Sequence, residues 1–504
     1  MKAVILAGGF GTRLRPLTFS KPKPLIPLLN RPVLAHILDH LKAHGVDEVA
    51  ITTNYLRQQI MDYFGREYCN IRLTYPSEDW PMGTAGCVKN IEDYFDDTFI
   101  VMQGDTITDM DLSALVKQHN YYSGLCTIGS VRVKDPWNYG VMDLDDMGRV
   151  RQFFEKPLID ECTTDLVNTG VYVMEPEALE HVPANTFFDF SKNLFPILLE
   201  RQSLFATLIE GFWIDVGRPG GYNAAKKWMM SRLQSSISPD SNVEGKLEGP
   251  VVIGEGVNVG AHTHIIGPVV LGDNAMLDRK TVVGPYTVIG NAAEIGEYSL
   301  LNGAVLFENV ALSSSNEVAN SIVAENCRVG VDSRIQSDVL IGSNCYLKDG
   351  VSIVFGSRLW PNMEISGHSL VNGTLKRFVT VNARHEDPEW VLRKVTSEEA
   401  FYFNKKEGSH VSYTGQRARS LLEFNNILKE VEASSLNYHL RSDVNDFQQW
   451  LDDILCDPIL ARDFEGIKQE VSVDDRMLVR QMMIEATTRR LNQLLNEVRP
   501  RGYA

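Results

Sequence analysis

Between residues 253 and 371 an aliphatic side chain returns at every sixth position, and few architectures accept that pattern. The series runs Ile253, Val259, Ile265, Leu271, Leu277, Val283, Ile289, Ile295, Leu301 and Phe307. After an offset it resumes as Val323, Val329, Ile335, Ile341, Leu347, Ile353, Leu359, Ile365 and Val371. Glycine follows many of these positions, at 254, 260, 272, 284, 290, 296, 330 and 342. A fixed aliphatic every six residues is the signature of a hexapeptide-repeat, left-handed parallel β-helix. Each short face turns one aliphatic inward, and stacked coils bury a continuous column. The step from Phe307 to Val323 is not a multiple of six, which predicts a loop bulging out over 313–316.

The repeat divides the chain. With 504 residues there is room for two or three domains. The expected division is an α/β unit over 1–232, the solenoid over 250–374 and a helical unit over 375–504. Hydrophobic content of 44% and charged content of 23% describe a globular protein with ample core. Forty-nine basic against 65 acidic residues, net −16, argue against nucleic acid or an anionic membrane as partner. A phosphate ligand is still allowed, because a few local cations decide that. The cysteines at 69, 87, 126, 162, 327, 345 and 456 form no Cys-x-x-Cys pair, which suggests reduced thiols, a cytoplasmic setting and no zinc. No apolar stretch approaches a membrane span, and no signal peptide is expected ahead of the first strand.

The first unit begins with an apolar run, Ala3 to Ala7, short enough for a buried strand. It turns into Gly8-Gly9-Phe10-Gly11-Thr12-Arg13, and Lys23 follows a proline-stiffened segment. Glycines after a strand let backbone N–H groups close on a bulky anion, and two cations beside them suit a polyphosphate. The spacing is not that of a Walker loop, which needs Lys-Ser/Thr after the last glycine. It is not a dinucleotide fingerprint either, since Leu14 stands at the third glycine. Leu34, Ile37, Leu38 and Leu41 then mark a helix that Gly45 stops, 46–53 a strand, and Leu56, Ile60 and Phe64 a second helix. This alternation predicts a mostly parallel sheet with helices on both faces, its ligands beyond the carboxyl ends of the strands. Thr98 to Gln103 is another such strand and ends in Gly104-Asp105; a carboxylate there suits Mg²⁺, with Asp109 and Asp111 close by as rivals.

The whole string GGFGTRL-RPLT with PKPL behind it closely resembles the sugar-1-phosphate nucleotidyltransferases, or nucleotide-sugar pyrophosphorylases. Further stretches resemble that family in order: Pro81-Met82-Gly83-Thr84-Ala85-Gly86, Gly104-Asp105, Tyr139-Gly140-Val141, Glu155-Lys156-Pro157, Asn168-Thr169-Gly170-Val171-Tyr172 and Trp213-Ile214-Asp215-Val216-Gly217. Arg218 stands where the family usually has Thr. The resemblance implies transfer of a nucleoside monophosphate from an NTP to a sugar 1-phosphate. Arg13 and Lys23 would be catalytic, and Gly8, Gly9, Gly11, Thr12 and Arg13 would hold phosphates. Glu78, Gly83, Thr84 and Gly86 would frame the base, and Gly140, Glu155, Lys156 and Asn168 the sugar. Asp105 and Asp215 would bind Mg²⁺.

Together with the solenoid and the stretch Phe188-Asp189-Phe190-Ser191-Lys192, these motifs most resemble bacterial mannose-1-phosphate guanylyltransferases, implying GTP and mannose 1-phosphate as partners. Glucose-1-phosphate uridylyl-, thymidylyl- and adenylyltransferases share most of the motifs and stay open. A non-catalytic relative would have lost the charges, but Arg13, Lys23, Asp105 and Asp215 are all present. Hexapeptide solenoids often carry acyl transfer, for which His262, His264 and His368 are candidates. Nothing around them resembles an acyl-carrier site, so the solenoid is read as a spacer that joins copies into a homo-oligomer.

In the third unit helical periods replace the hexads, at Leu421 to Val431, Phe447 to Leu455 and Met477 to Leu495. Phe401, Tyr402, Phe403 and Trp450 read as core. Arg489, Arg490, Arg499 and Arg501 make a basic end suited to docking. No catalytic constellation is visible, so a chain stopped after Gly373 is expected to keep its chemistry.

Overall fold

The computed structural model describes residues 1–53, 55–77, 82–375, 388–395, 399–407, 410–440, 445–455, 457–470 and 476–498. At the heart of the first unit, Phe99–Gln103, Lys2–Leu6, Glu48–Thr52 and Ile71–Thr74 lie parallel in that order. Beyond Phe99–Gln103 the sheet turns antiparallel through Leu166–Met174, Gly140–Leu144 and Val150–Glu155. Side chains of the first strand alternate between two cores. Ala3 and Ile5 pack with the helix Val33–Ala43, while Val4 and Leu6 pack with Gly83–Lys89. A sheet buried on both faces reads as a continuous apolar run, which is why Ala3–Ala7 shows no polar alternation. A separate two-stranded ribbon pairs Trp213–Asp215 with Thr106–Thr108.

The solenoid has three faces of nine, eight and eight short parallel strands. Its column holds every predicted aliphatic but one. Leu306 occupies the place predicted for Phe307, and Leu312 and Val318 continue the series. Phe307 instead points outward and is buried against the first unit. The predicted bulge at 313–316 is absent: the segment forms an ordinary coil corner between Ala311–Leu312 and Glu317–Ala319. The offset arises elsewhere. Rungs pair 18 residues apart at Leu271 and Ile289, but 17 apart at Ile289 and Leu306 and again at Leu306 and Val323. A coil can drop one corner residue without disturbing its neighbours, so the column survives with two five-residue steps, 301 to 306 and 318 to 323.

The solenoid is also more than a spacer. Outward-facing Val270, Val288, Val305, Ile322 and Leu340 join the same core as Leu25, Leu28 and Tyr222 of the first unit. Around that patch Asn30 Nδ2 donates to the Ile289 carbonyl at 2.8 Å, and Lys21 pairs with Glu308 at 3.4 Å. The buried Lys226 Nζ donates to the Gly303 carbonyl at 2.7 Å. Burial, with Lys227 nearby, lowers the Lys226 pKa to about 8.

The third unit contains the three expected helices, Leu421–Glu430, Asp446–Asp453 and Arg476–Val498. Among the described residues it adds three more and a hairpin, Phe401–Glu407 with His410–Ala418, that the helical reading did not contain. Phe401 and Phe403 are core, as read. The basic end is partly consumed internally: Arg490 is buried on Asp457 at 2.9 Å, and Arg489 pairs with Asp463 at 2.9 Å. Arg499 and Arg501 lie outside the described residues. No described helix is long and apolar enough to cross a membrane.

Candidate active site

The glycine loop leaves Lys2–Leu6, and Asp105 leaves the neighbouring strand Phe99–Gln103. Because the two are parallel and in register, with Leu6 opposite Gln103, both turns emerge at the same edge. The Gly104 N–H donates to the Leu6 carbonyl at 2.9 Å and fixes their separation. On the ribbon, Asp215 faces Thr106, and the Val216 N–H donates to the Asp105 carbonyl at 2.9 Å. Two carboxylates 110 positions apart in sequence are thus brought side by side by one antiparallel pair.

Lys23 completes the cluster. Its ammonium makes a tight ion pair with Asp105 and lies 3.6 Å from Asp215 Oδ1. Gly217 lies close against the cluster: a Cβ on it would stand 2.6 Å from both Lys23 Nζ and Asp215 Oδ1, and would have to displace those side chains. Burial pushes the Asp105 carboxyl up, but the charge and hydrogen bond of Lys23, with Asp215 and Arg13 close by, leave it below the ordinary carboxylate value. Asp215, buried beside the Asp105 charge, is held above that value. Asp105 is therefore the firmly ionised partner. Among the described residues no third His, Cys, Asp or Glu joins them. Two carboxylates with open positions suit Mg²⁺, which takes most of its remaining ligands from water and phosphate.

The loop is tied from behind. Gly11 adopts φ +64°, and its carbonyl accepts from the Leu14 N–H and the Thr18 hydroxyl, both at 2.9 Å. Gly9 and Arg13 are exposed. The loop therefore offers amides and a guanidinium on its open side.

On the other flank, Gly140 lies directly across from Glu155 in the hairpin. Asn168 Oδ1 accepts from the Gly170 N–H at 2.8 Å, and its Nδ2 donates to the Tyr172 hydroxyl at 3.2 Å. Lys156 is exposed, its ammonium 3.7 Å from Glu155. Trp213 binds this flank to the ribbon: its indole N–H donates to the Thr169 carbonyl at 2.8 Å, and its ring meets Tyr139 edge-on at 5.2 Å.

The stretch assigned to the base packs on a second stretch of chain. The Ala85 and Gly86 N–H groups donate to the Phe188 carbonyl at 2.8 and 2.9 Å, and Thr84 N–H donates to Asp189 at 3.1 Å. A Cβ on Gly83 or Gly86 would meet the backbone of Phe188 or Thr186 at 2.8 or 2.7 Å. These small residues admit a second stretch of chain, and the amides of Thr84, Ala85 and Gly86 are already engaged. Asp189 anchors the helix; its only sequence signal is its place in 188–192. Glu78 lies outside the described residues.

Comparison with known proteins places this geometry. The family described as nucleotidyl transferase matches residues 2–231, and the GMPPB C-terminal domain matches 265–375. The hexapeptide repeat of succinyl-transferase matches 250–279, and a family of unknown function matches 376–488. A mannose-1-phosphate guanyltransferase from Yarrowia lipolytica is 32% identical over 374 residues, covering 73% of this chain and 98% of that protein. A UTP–glucose-1-phosphate uridylyltransferase from Synechocystis sp. is 32% identical over 374 residues, covering 70% and 90%. Mannose-1-phosphate guanylyltransferase 1 of Arabidopsis thaliana is 30% identical over 378 residues, covering 73% and 98%. The chain belongs to the sugar-1-phosphate nucleotidyltransferase family. As such an enzyme it transfers a nucleoside monophosphate from an NTP to a sugar 1-phosphate. Nucleotidyltransferases of this family generally use a divalent metal.

Proposed function

We propose that the enzyme joins GTP to mannose 1-phosphate, giving GDP-mannose and pyrophosphate. The observation that carries the reading is the convergence of Lys23, Asp105 and Asp215 beside a glycine loop with an exposed Arg13. The substrate pair rests on relatives that this chain spans almost end to end, among them the Yarrowia and Arabidopsis guanylyltransferases. The Synechocystis uridylyltransferase favours a second reading, UTP with glucose 1-phosphate.

An oxygen of the sugar phosphate, already ionised at neutral pH, attacks the α-phosphorus; the bond to the β-phosphate oxygen breaks and pyrophosphate departs. No side-chain nucleophile and no general base is needed. What the site must supply is charge compensation where two polyanions meet, the main component of catalysis in such transfers. Arg13 and the amides of 8–12 take the β- and γ-phosphates, and Lys23 bridges the α-phosphate and the incoming phosphate. Asp105 and Asp215 would hold Mg²⁺, which when bound neutralises phosphate charge. Gly140, Glu155, Lys156 and Asn168 orient the sugar. Gly83, Thr84 and Gly86 shape the base pocket through the packing they allow.

Pyrophosphate release over a matrix of NTPs and sugar 1-phosphates tests this. GTP with mannose 1-phosphate should exceed every other pair in kcat/KM by about tenfold or more, equivalent to ~1.4 kcal/mol of transition-state binding. A higher value for UTP with glucose 1-phosphate would transfer the assignment to that pair.

A further inference from the structure

Arg218, the one departure from the Trp-x-Asp-x-Gly-Thr motif, follows Asp215, Val216 and Gly217 directly. The position of a Cβ on Gly217, 2.6 Å from both Lys23 Nζ and Asp215 Oδ1, puts the backbone at 217 against the charged cluster. Arg218 begins one residue further on, a Cα step of ~3.8 Å, so its long side chain can reach what Lys23 reaches. Its backbone is already used: the Arg218 carbonyl accepts from the Tyr222 N–H at 2.9 Å and closes the first turn of the helix Pro219–Met230. Its guanidinium is exposed and has no hydrogen-bond or ion-pair partner among the described residues. The residue is fixed in place while its charge is left free.

The free charge lies on the sugar side of the cluster. Tyr139, which precedes Gly140 and meets the Trp213 ring edge-on at 5.2 Å, is half-buried there. Burial raises its phenol above the usual value, Asp215 and the exposed Asp135 add to the rise, and Arg218 opposes it. Stability does not account for a cation in this place. Arg218 caps the positive end of a 12-residue helix, where a cation is opposed by about 0.3–1 kcal/mol, and the first turn holds no acidic residue to offset it. The other cations of the site are committed. Arg13 serves the β- and γ-phosphates, Lys23 is ion-paired with Asp105, and Lys156 lies 3.7 Å from Glu155. The incoming sugar phosphate, a dianion, has no cation of its own among them.

We propose that Arg218 is a second clamp, which binds the phosphate of the incoming sugar 1-phosphate. A guanidinium presents two parallel N–H donors to two phosphate oxygens, so it fixes the orientation of the group as well as its charge. Lys23 is then left with the attacking oxygen and the α-phosphate. Arg218 neither forms nor loses a bond in the transfer and keeps its proton throughout. It recognises the phosphate and is indifferent to the ring hydroxyls, which belong to Glu155, Lys156 and Asn168. A threonine at 218 would offer one neutral hydrogen bond where the arginine offers two charged ones. The inference rests on reading Lys23, Asp105 and Asp215 as the transfer site, but not on which base or which sugar is used.

The test is a split of Michaelis constants in the full-length protein, with whichever NTP and sugar 1-phosphate the substrate matrix selects. Arg218→Gln and Arg218→Thr should raise the KM for the sugar 1-phosphate by about 10- to 100-fold. The KM for the NTP and, in the reverse reaction, the KM for pyrophosphate should stay within about twofold of wild type. Arg218→Lys, which keeps the charge without the fork, should fall between wild type and Arg218→Gln. Melting profiles should be unchanged, because the side chain is exposed. A sugar-phosphate KM within about threefold of wild type in both neutral variants would overturn the clamp. An equal rise in the KM for NTP and sugar phosphate would also overturn it, by showing a disturbed 215–218 turn rather than a lost contact. Arg218→Lys no better than Arg218→Gln would remove the charge from the explanation. Failure of the GTP and mannose assignment leaves the test intact, since its substrates are set by the matrix, and failure of the clamp leaves the matrix result standing.

Discussion

Two glycine-rich turns follow strands at the same edge of the sheet, and they do opposite things. At 8–11 the turn is open at Gly9, which has nothing within 4 Å of where a Cβ would lie, while Gly11 is packed against Thr18 and Lys23. At 83–86 the same residue type is enclosed by 186–189, whose backbone fills the space a Cβ would take. Glycine signals close approach in both places. Sequence does not say what approaches; at 83–86 it is the chain itself, and at Gly9 we propose a phosphate. That distinction belongs to tertiary structure, and it makes opposite demands on substitution: function is at risk in the first turn and stability in the second.

The largest effect should come from the charges that serve the open turn. Arg13→Ala should lower kcat by about 10²- to 10³-fold with an unchanged melting profile, the usual cost of one preorganised charge contact. Lys23→Ala should cost at least as much, because its ammonium is also the partner of Asp105 and Asp215. Turnover of either variant within about threefold of wild type would remove the phosphate clamp from the comparison.

At the enclosed turn the order reverses. Gly83 has φ +75°, and a Cβ on it would lie 2.8 Å from the Phe188 carbonyl. Left-handed backbone costs an ordinary residue about 1–2 kcal/mol, and overpacking typically adds ~1–3. Gly83→Ala should therefore lower stability by at least ~2 kcal/mol in denaturant titration, and Gly86→Ala by ~1–3. Activity per folded molecule should fall less than in Arg13→Ala. Two variants as stable as wild type, with lost GTP affinity, would mean that these glycines meet the base and not the chain.

How much of this was legible follows the range of the interactions. The solenoid's order is repeated and local, so its column could be read residue by residue. Phe307 was misplaced and a bulge was expected wrongly at 313–316, because a dropped corner residue is invisible until rungs pair. The apolar outer row Val270, Val288, Val305 was present in the sequence but outside the column, and its partner lies more than 200 residues away in Leu28. Arg13, Lys23, Asp105 and Asp215 were visible as motifs, whereas their meeting depends on the ribbon 213–215 with 106–108. The hairpin 401–418 and the cavity of about 380 Å³ between it and Gly11 had no sequence signature, since aromatic residues that line a pocket look like aromatic residues that fill a core.

The smallest expected effect is the sharpest discriminator. Gly9→Ala adds one methyl into open space at a residue whose φ is not left-handed. Replacing glycine where the backbone allows it reduces unfolded-state entropy, so stability should stay within about 0.5 kcal/mol of wild type or rise slightly. If phosphates close on this turn, the same methyl stands between them and the amides. The KM for the NTP should then rise, and kcat/KM should fall by about tenfold, ~1.4 kcal/mol, with the KM for the sugar phosphate unchanged. Melting curves and initial rates on one preparation are sufficient. Loss of stability would show that the open turn is packed like the enclosed one. Unchanged stability with unchanged NTP affinity would show that the polyphosphate lies elsewhere than on the Gly9 face of the loop.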